Sequence, residues 1–309
     1  MKGGALLALA AALLPGSPAA AQAFTPPGGV GSVTLAWQYV DNTGHRLSDG
    51  YLLKHGQSET TGIFLETEYG FTDRLAASLA VAYVFAKYTD PDPPPPPIPY
   101  LPVDSCHCWN SSFQDFTLAA RYRFGDDPWA VSPVVRIVLP THGYNTQGEA
   151  VVGRNLRELQ IGFGAALRLA RLLPEATVQV GYAYSFVEKT LGIPNDRSNG
   201  YLELGYEATR RLYVRVAGRW QVTHGGLRFG SVTGDPFPPP GEVNTPELVA
   251  EHDRLLRDNY WRVGGGISYS MGAFDVFAAV SVYVSGTDTH DGQAYMVGLT
   301  YYLGEPFRR

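Results

Sequence analysis

The chain has 309 residues, of which 45% are hydrophobic and 17% charged, and its formal net charge is −5. That acidic balance excludes a broadly basic nucleic-acid surface, and a mean hydropathy of −0.10 is too polar for a bundle of membrane helices. Two cysteines in such a length are not a disulfide framework.

The first residues read as a secretory signal. Lys2 is a positive n-region, Ala5–Leu14 is an apolar run, and Ala19-Ala20-Ala21 and Ala21-Gln22-Ala23 are small-x-small cleavage sites. The run is too short to cross a bilayer as a helix. The expected division is therefore a signal peptide over 1–21, with cleavage after 23 as the alternative, and one mature domain over 22–309.

Beyond it, short stretches alternate apolar with small or polar residues. The clearest is 177–187, where Val178, Val180, Tyr182, Tyr184 and Phe186 share one face and Thr177, Gln179, Gly181, Ala183 and Ser185 the other. Period two is a strand with two environments. A soluble sandwich would hide the apolar face in a core, whereas a membrane barrel turns it to lipid and keeps the polar face around a lumen. Twelve such strands are expected, near 32–40, 60–69, 74–87, 115–124, 129–139, 158–169, 176–187, 200–207, 212–223, 261–270, 273–284 and 293–303. Tight connections alternate with longer ones at 41–59, 88–114, 140–157, 188–199, 224–260 and 285–292. Short turns at one end, long loops at the other and an even strand number predict an all-β fold. It is a single transmembrane antiparallel up-and-down barrel in the outer membrane, with both termini in the periplasm.

Two turns echo each other: Tyr69-Gly-Phe-Thr-Asp-Arg-Leu and Tyr206-Glu-Ala-Thr-Arg-Arg-Leu share Tyr, Thr, Arg and Leu at matching offsets. Among the loops, Pro93–Pro97 favours polyproline II. One short loop helix is expected over 245–259, with Thr245 as N-cap, Pro246 in the first turn, and Leu248, Val249, Leu255 and Leu256 on one face. Read as a lid rather than a plug, it should dock on Pro97–Leu101 and the barrel rim and restrict the outer mouth.

Assigning faces gives lumen acids Glu66, Glu68, Asp115, Glu158, Glu203, Glu207 and Asp275, against bases Arg121, Arg123, Arg136, Arg168, Arg215, Arg219 and Arg262. Seven against seven favours cross-strand pairing. Glu66, Glu68, Arg121, Arg123, Arg136, Arg168, Glu203, Arg215 and Arg219 are also the candidates for lining a solute path. Cys106, His107 and Cys108 could offer soft donors to a metal or close a strained disulfide, and all seven histidines fall in the long connections. No nucleophile elbow, Walker loop or His-Glu-x-x-His is present. Gly264-Gly265-Gly266 sits inside a strand, where it allows close packing. No catalytic residue and no cofactor is expected.

One stretch carries a family resemblance. Asp115-Phe-Thr-Leu-Ala-Ala-Arg-Tyr precedes a strand ending in Leu139-Pro-Thr-His-Gly-Tyr144, and Gly70-Phe-Thr-Asp-Arg-Leu75 lies upstream. This resembles the outer-membrane proteins of the MetA-pathway of phenol degradation family, with His142 interrupting that family's Leu-Pro-Thr-Gly pattern. The resemblance implies a barrel concerned with uptake of aromatic or other small hydrophobic compounds. The expected function is a passive channel or transporter for small molecules. The alternative is a non-transporting surface protein with adhesive or metal-binding loops. The expected partners are outer-membrane lipid, a small-molecule solute and the barrel-assembly machinery, without nucleic acid.

Overall fold

Alternation of the kind seen at 177–187 recurs around a closed wall. The computed structural model describes residues 23–54, 56–89, 107–169, 173–228, 248 and 250–304. Its strands are β1 (Gly31–Arg46), β2 (Leu52–Leu53), β3 (Gln57–Gly70), β4 (Leu75–Thr89), β5 (Asn110–Phe113), β6 (Asp115–Tyr122), β7 (Trp129–Pro140), β8 (Glu158–Arg168), β9 (Ala176–Val187), β10 (Asn195–Glu207), β11 (Leu212–Gly225), β12 (Asn259–Ser270), β13 (Phe274–Thr287) and β14 (Thr289–Leu303). Sequential strands pair antiparallel, and β14 returns to β1 from Gly31↔Leu303 up to Arg46↔Thr289. Because β2 only flanks β1 and β5 continues β6 upward, the wall has twelve strands. Closure leaves no open edge, the condition a sheet must meet to sit in lipid.

The outward face is apolar. Val216 is 61% exposed, Leu35 52% and Ile63 48%, whereas the inward Gln179 is 4% exposed. Tyr182, Val216 and Val280 are exposed and Val178, Val214 and Trp220 half-buried, all on the outward register. Trp220 is covered because its ring lies across Gly200, 6.0 Å from the Tyr182 ring. At the short-turn end, Tyr69 packs on Phe71 at 5.2 Å, Tyr122 on Phe124 at 5.0 Å and Phe274 on Tyr301 at 4.8 Å, forming an interfacial aromatic girdle. The two echoed turns share one device. Thr72 Oγ1 accepts from the backbone N–H of Leu75 at 2.9 Å, and Thr209 Oγ1 accepts from Leu212 at 3.0 Å.

Several strand ends differ from expectation. β1 runs on to Arg46, β10 begins at Asn195 instead of 200, and the expected loop 285–292 is mostly strand. Above Val282 and Gln293, β13 and β14 part company: β13 stays with β12, and β14 stays with β1. Each strand there is paired on one side only, so the local pattern reads as loop. His45, His224 and His290 therefore sit in β1, β11 and β14 instead of in connections. The sequence also hides a bulge at Gln114. The Ala80↔Thr117 register slips to Tyr83↔Phe113, so Gln114 and Asp115 both face inward. In the region of the expected helix, Leu248 and Ala250 are helical and 251–255 is turn. Thr245 to Glu247 and the partner stretch Pro97–Leu101 lie outside the described residues, as do residues 1–22, which hold the expected signal peptide, and His55 and Cys106.

Candidate functional site

The inward faces of the strands and two chain segments enclose a polar chamber of about 250 Å³. Its floor is the segment at Ala23 and Phe24. Ala23 and Phe24 are buried against Ala130 and Ala166. Ser132 donates to the Ala23 carbonyl at 2.6 Å, and Arg121 donates to that of Phe24 at 3.2 Å. The Arg168 guanidinium lies 5.2 Å over the Phe24 ring.

The roof is the connection between β7 and β8, residues 141–157, which turns into the barrel. Val152 reaches a buried apolar cluster formed by Ala36, Phe64, Ala82, Val84, Ala86, Phe277 and Met296. Those residues lie on β1, β3, β4, β13 and β14, so the segment spans the lumen to the wall opposite its own strands. Polar contacts hold the crossing. The bulged Gln114 donates to the Val152 carbonyl at 2.9 Å, and Tyr144 donates to Asp115 Oδ1 at 2.6 Å while accepting from the Asn155 N–H at 2.8 Å. Burial and the adjacent Asp115 carboxylate push the Tyr144 hydroxyl above the usual phenol range, so it remains a donor.

Above that segment lies the connection between β11 and β12. Leu255 packs on Leu156, Val187 and Leu227, with Ile193 and Leu248 at the edge. The described apolar residues Leu227, Leu248 and Leu255 of this connection thus bury against 141–157 and the rim, and the lumen-crossing role belongs to the other loop. Asp258 is the hub. It is fully buried, accepts from Arg154 at 3.3 Å, from Gln221 at 3.1 Å and from Thr289 at 2.5 Å, and its carbonyl accepts from Thr223 at 2.9 Å.

The lumen charges fall into two groups. In the first, acids and bases meet: Glu68 with Arg121 at 2.5 Å, Glu203 with Arg215 at 3.4 Å, and Glu158 with Arg197. Gly266 leaves room for this arrangement, since a Cβ there would stand 3.3 Å from Arg215 Nε. At the floor, Arg123 pairs with Asp126 at 3.4 Å and Arg168 with Asp127 at 3.1 Å. Glu66 stands within Coulombic reach of Arg136 and Arg121 as well as Glu68, and Arg136 donates to Gln160 at 3.0 Å.

The second group is Arg219 and Arg262, directly opposite one another on β11 and β12 and both inward. Among the described residues neither forms an ion pair, and both terminal nitrogens of the buried Arg262 lack a hydrogen-bond partner. The Arg262 guanidinium lies 5.4 Å over the Tyr260 ring. Arg219 borders both the main chamber and a smaller pocket of about 80 Å³ that includes Gln38, Arg262 and Met296. Arg219 stands within Coulombic reach of Glu203 and Arg215, and Arg262 within that of Asp258 and Asp291. Glu203 pairs with Arg215 and also stands within Coulombic reach of Arg219.

Sequence reasoning missed Arg154, Arg197 and Asp258. All three lie outside the strands as drawn from alternation, and their partners are far off in the chain. Cys108 is disulfide-bonded, and a disulfide sulfur is not the thiolate that a soft metal needs.

No protein-family profile and no curated protein matches the sequence. Among solved structures, the chain is similar to the COG4313 outer membrane channel from Pseudomonas putida F1, with 12% identity and a TM-score of 0.66 over 91% of this chain and 98% of that one. It is also similar to the NanC porin, with 9% identity and a TM-score of 0.50 over 88% of this chain and 100% of that one. The fold is that of an outer-membrane β-barrel.

Proposed function

We propose that the protein is a passive outer-membrane channel for small molecules, akin to the MetA-pathway of phenol degradation family that its strands resemble. The class we assign to it is compact aromatic solutes bearing one negative group. Residues 1–21 would be removed as a secretory signal, and the barrel-assembly machinery would insert the mature chain. The observation that carries the reading is Arg219, which borders the main chamber and also the smaller pocket that holds Arg262. The chamber lining carries five arginines against four carboxylates, so broad anion selectivity is not part of the proposal. The two guanidinium groups offer a local seat for a carboxylate or phenolate, with Tyr260 beside Arg262 and Tyr201, the register partner of Arg219 on β10, presenting aromatic surface. A single-ring solute fits the chamber volume. An adhesive surface built from loops would need no such chamber beneath them.

Uptake of benzoate, phenol and glucose into proteoliposomes tests this. Benzoate should enter fastest, and Arg219→Gln with Arg262→Gln should slow benzoate about tenfold while leaving glucose unchanged. Equal entry of all three in the parent, or an equal change in all three in the variant, would count against the anionic aromatic class. Entry of none would count against the channel.

A further inference from the structure

Chemistry unrelated to the chamber gathers at the outer rim. His45, near the top of β1, is the register partner of His290, at the start of β14, and their rings stand 4.9 Å apart. Glu149, from the segment that crosses the lumen, joins them: one ligand-capable atom from each of the three lies within 4.8 Å of the others. A second carboxylate arrives from the connection between β11 and β12, with Asp253 Oδ2 3.7 Å from His290 Nε2. His252 fixes that carboxylate, its Nδ1 lying 3.6 Å from Asp253 Oδ1 while Nε2 donates to the Arg228 carbonyl at 3.0 Å.

The donor set is two imidazoles and two carboxylates. That combination suits a borderline divalent cation better than calcium or magnesium, which prefer oxygen alone. Zinc binds such ligands at about 2.0–2.2 Å in a tetrahedron, which sets the ligand atoms roughly 3.4 Å apart. The His45, Glu149 and His290 ligand atoms need to contract by at most about 1.4 Å to reach that spacing. His252 then acts as the outer partner that orients a ligating carboxylate.

The four donors come from four separate parts of the chain: two barrel strands and two mouth connections. We propose that His45, Glu149, Asp253 and His290 bind one divalent transition-metal cation, represented by Zn²⁺, which ties both mouth connections to the rim where the barrel closes. The cation site stands on the rim geometry alone. Its consequence, that bound metal holds the lumen crossing shut, rests on the channel reading.

The test is calorimetric titration of ZnCl₂ into the full chain, folded in detergent and stripped with EDTA. One Zn²⁺ per barrel at micromolar affinity or tighter is expected, with affinity falling at least a hundredfold in His290→Gln and in Glu149→Gln. Retained heat-modifiable migration shows that each variant still folds as a barrel. His142→Ala with His224→Ala, which changes histidines elsewhere on the mouth, should leave binding intact. Co²⁺ in place of Zn²⁺ should give the intense visible bands of a tetrahedral site, lost in His45→Ala. Absence of binding in the parent overturns the proposal, as does binding that survives the His290 and Glu149 changes or is lost with His142 and His224. Because none of these readings requires conduction, a failed uptake experiment leaves the site standing, and a failed titration leaves the channel standing.

Discussion

The two ends of the barrel are closed by different kinds of contact. At the short-turn end, the hairpin turns are held by near neighbours: Thr72 Oγ1 holds the Leu75 N–H and Thr209 Oγ1 holds the Leu212 N–H, each three residues on, although the segment at Ala23 and Phe24 is held there by Ser132 and Arg121 from far along the chain. At the outer end they are far apart. Arg154 and Asp258 are separated by 104 residues, and Thr146 and Glu251 by 105. A turn held by its own side chains forms whenever its two strands pair. The mouth forms only when the whole barrel has closed and every partner has arrived, so its contacts are cooperative and can be lost together while the wall stands. The hairpin turns are thus built locally, and the long-loop end is built from contacts between distant parts of the chain.

The largest effect should follow from cutting the hub. Asp258→Ala leaves Arg154 buried without its counter-charge, which costs about 3–5 kcal/mol. The loss should fall on the mouth: protease should cleave within 141–157 while the barrel keeps its heat-modifiable migration. If the wall unfolds as well, the two regions are not separable.

Next comes the wall. Val216→Arg, on the outward face, should destabilise the barrel by about 2–4 kcal/mol near the bilayer midplane. The inward neighbour Ala217→Arg should spare lipid insertion. Guanidinium midpoints for both variants in liposomes check the assignment, and equal penalties would erase the distinction between the faces.

The smallest effect belongs to the turns. Thr72→Ala or Thr209→Ala removes exposed side-chain hydrogen bonds, each worth about 0.5–1 kcal/mol. The same denaturation curves should show small, independent shifts that add in the double variant.

The same contrast explains what could be read from the sequence. Period-two alternation located all twelve wall strands because lipid and lumen impose opposite demands on successive residues. The turns were legible because Thr and Leu recur at fixed offsets. Where one of those demands lapses, legibility fails. Arg197 and Asn195 face inward above the point where alternation looks regular, so the sequence pattern places the start of β10 five residues late. The bulge at Gln114 puts two successive residues inward and breaks the parity rule. Ala150, Val152 and Leu156 are buried in a Gly-rich, polar stretch. Nothing local marks them as interior, because their apolar partners sit on the opposite wall. The pairing of His45 with His290 is visible only once β14 is laid against β1.

The central claim is that residues 141–157 cross the lumen and set its width. Single-channel conductance in planar bilayers, comparing the parent with a variant lacking Gly148–Gly153, tests it most directly. The deletion removes Ala150 and Val152 and with them the contact to the far wall. Conductance should rise several-fold in protein that still migrates as a folded barrel. A folded variant conducting no better than the parent would contradict the account.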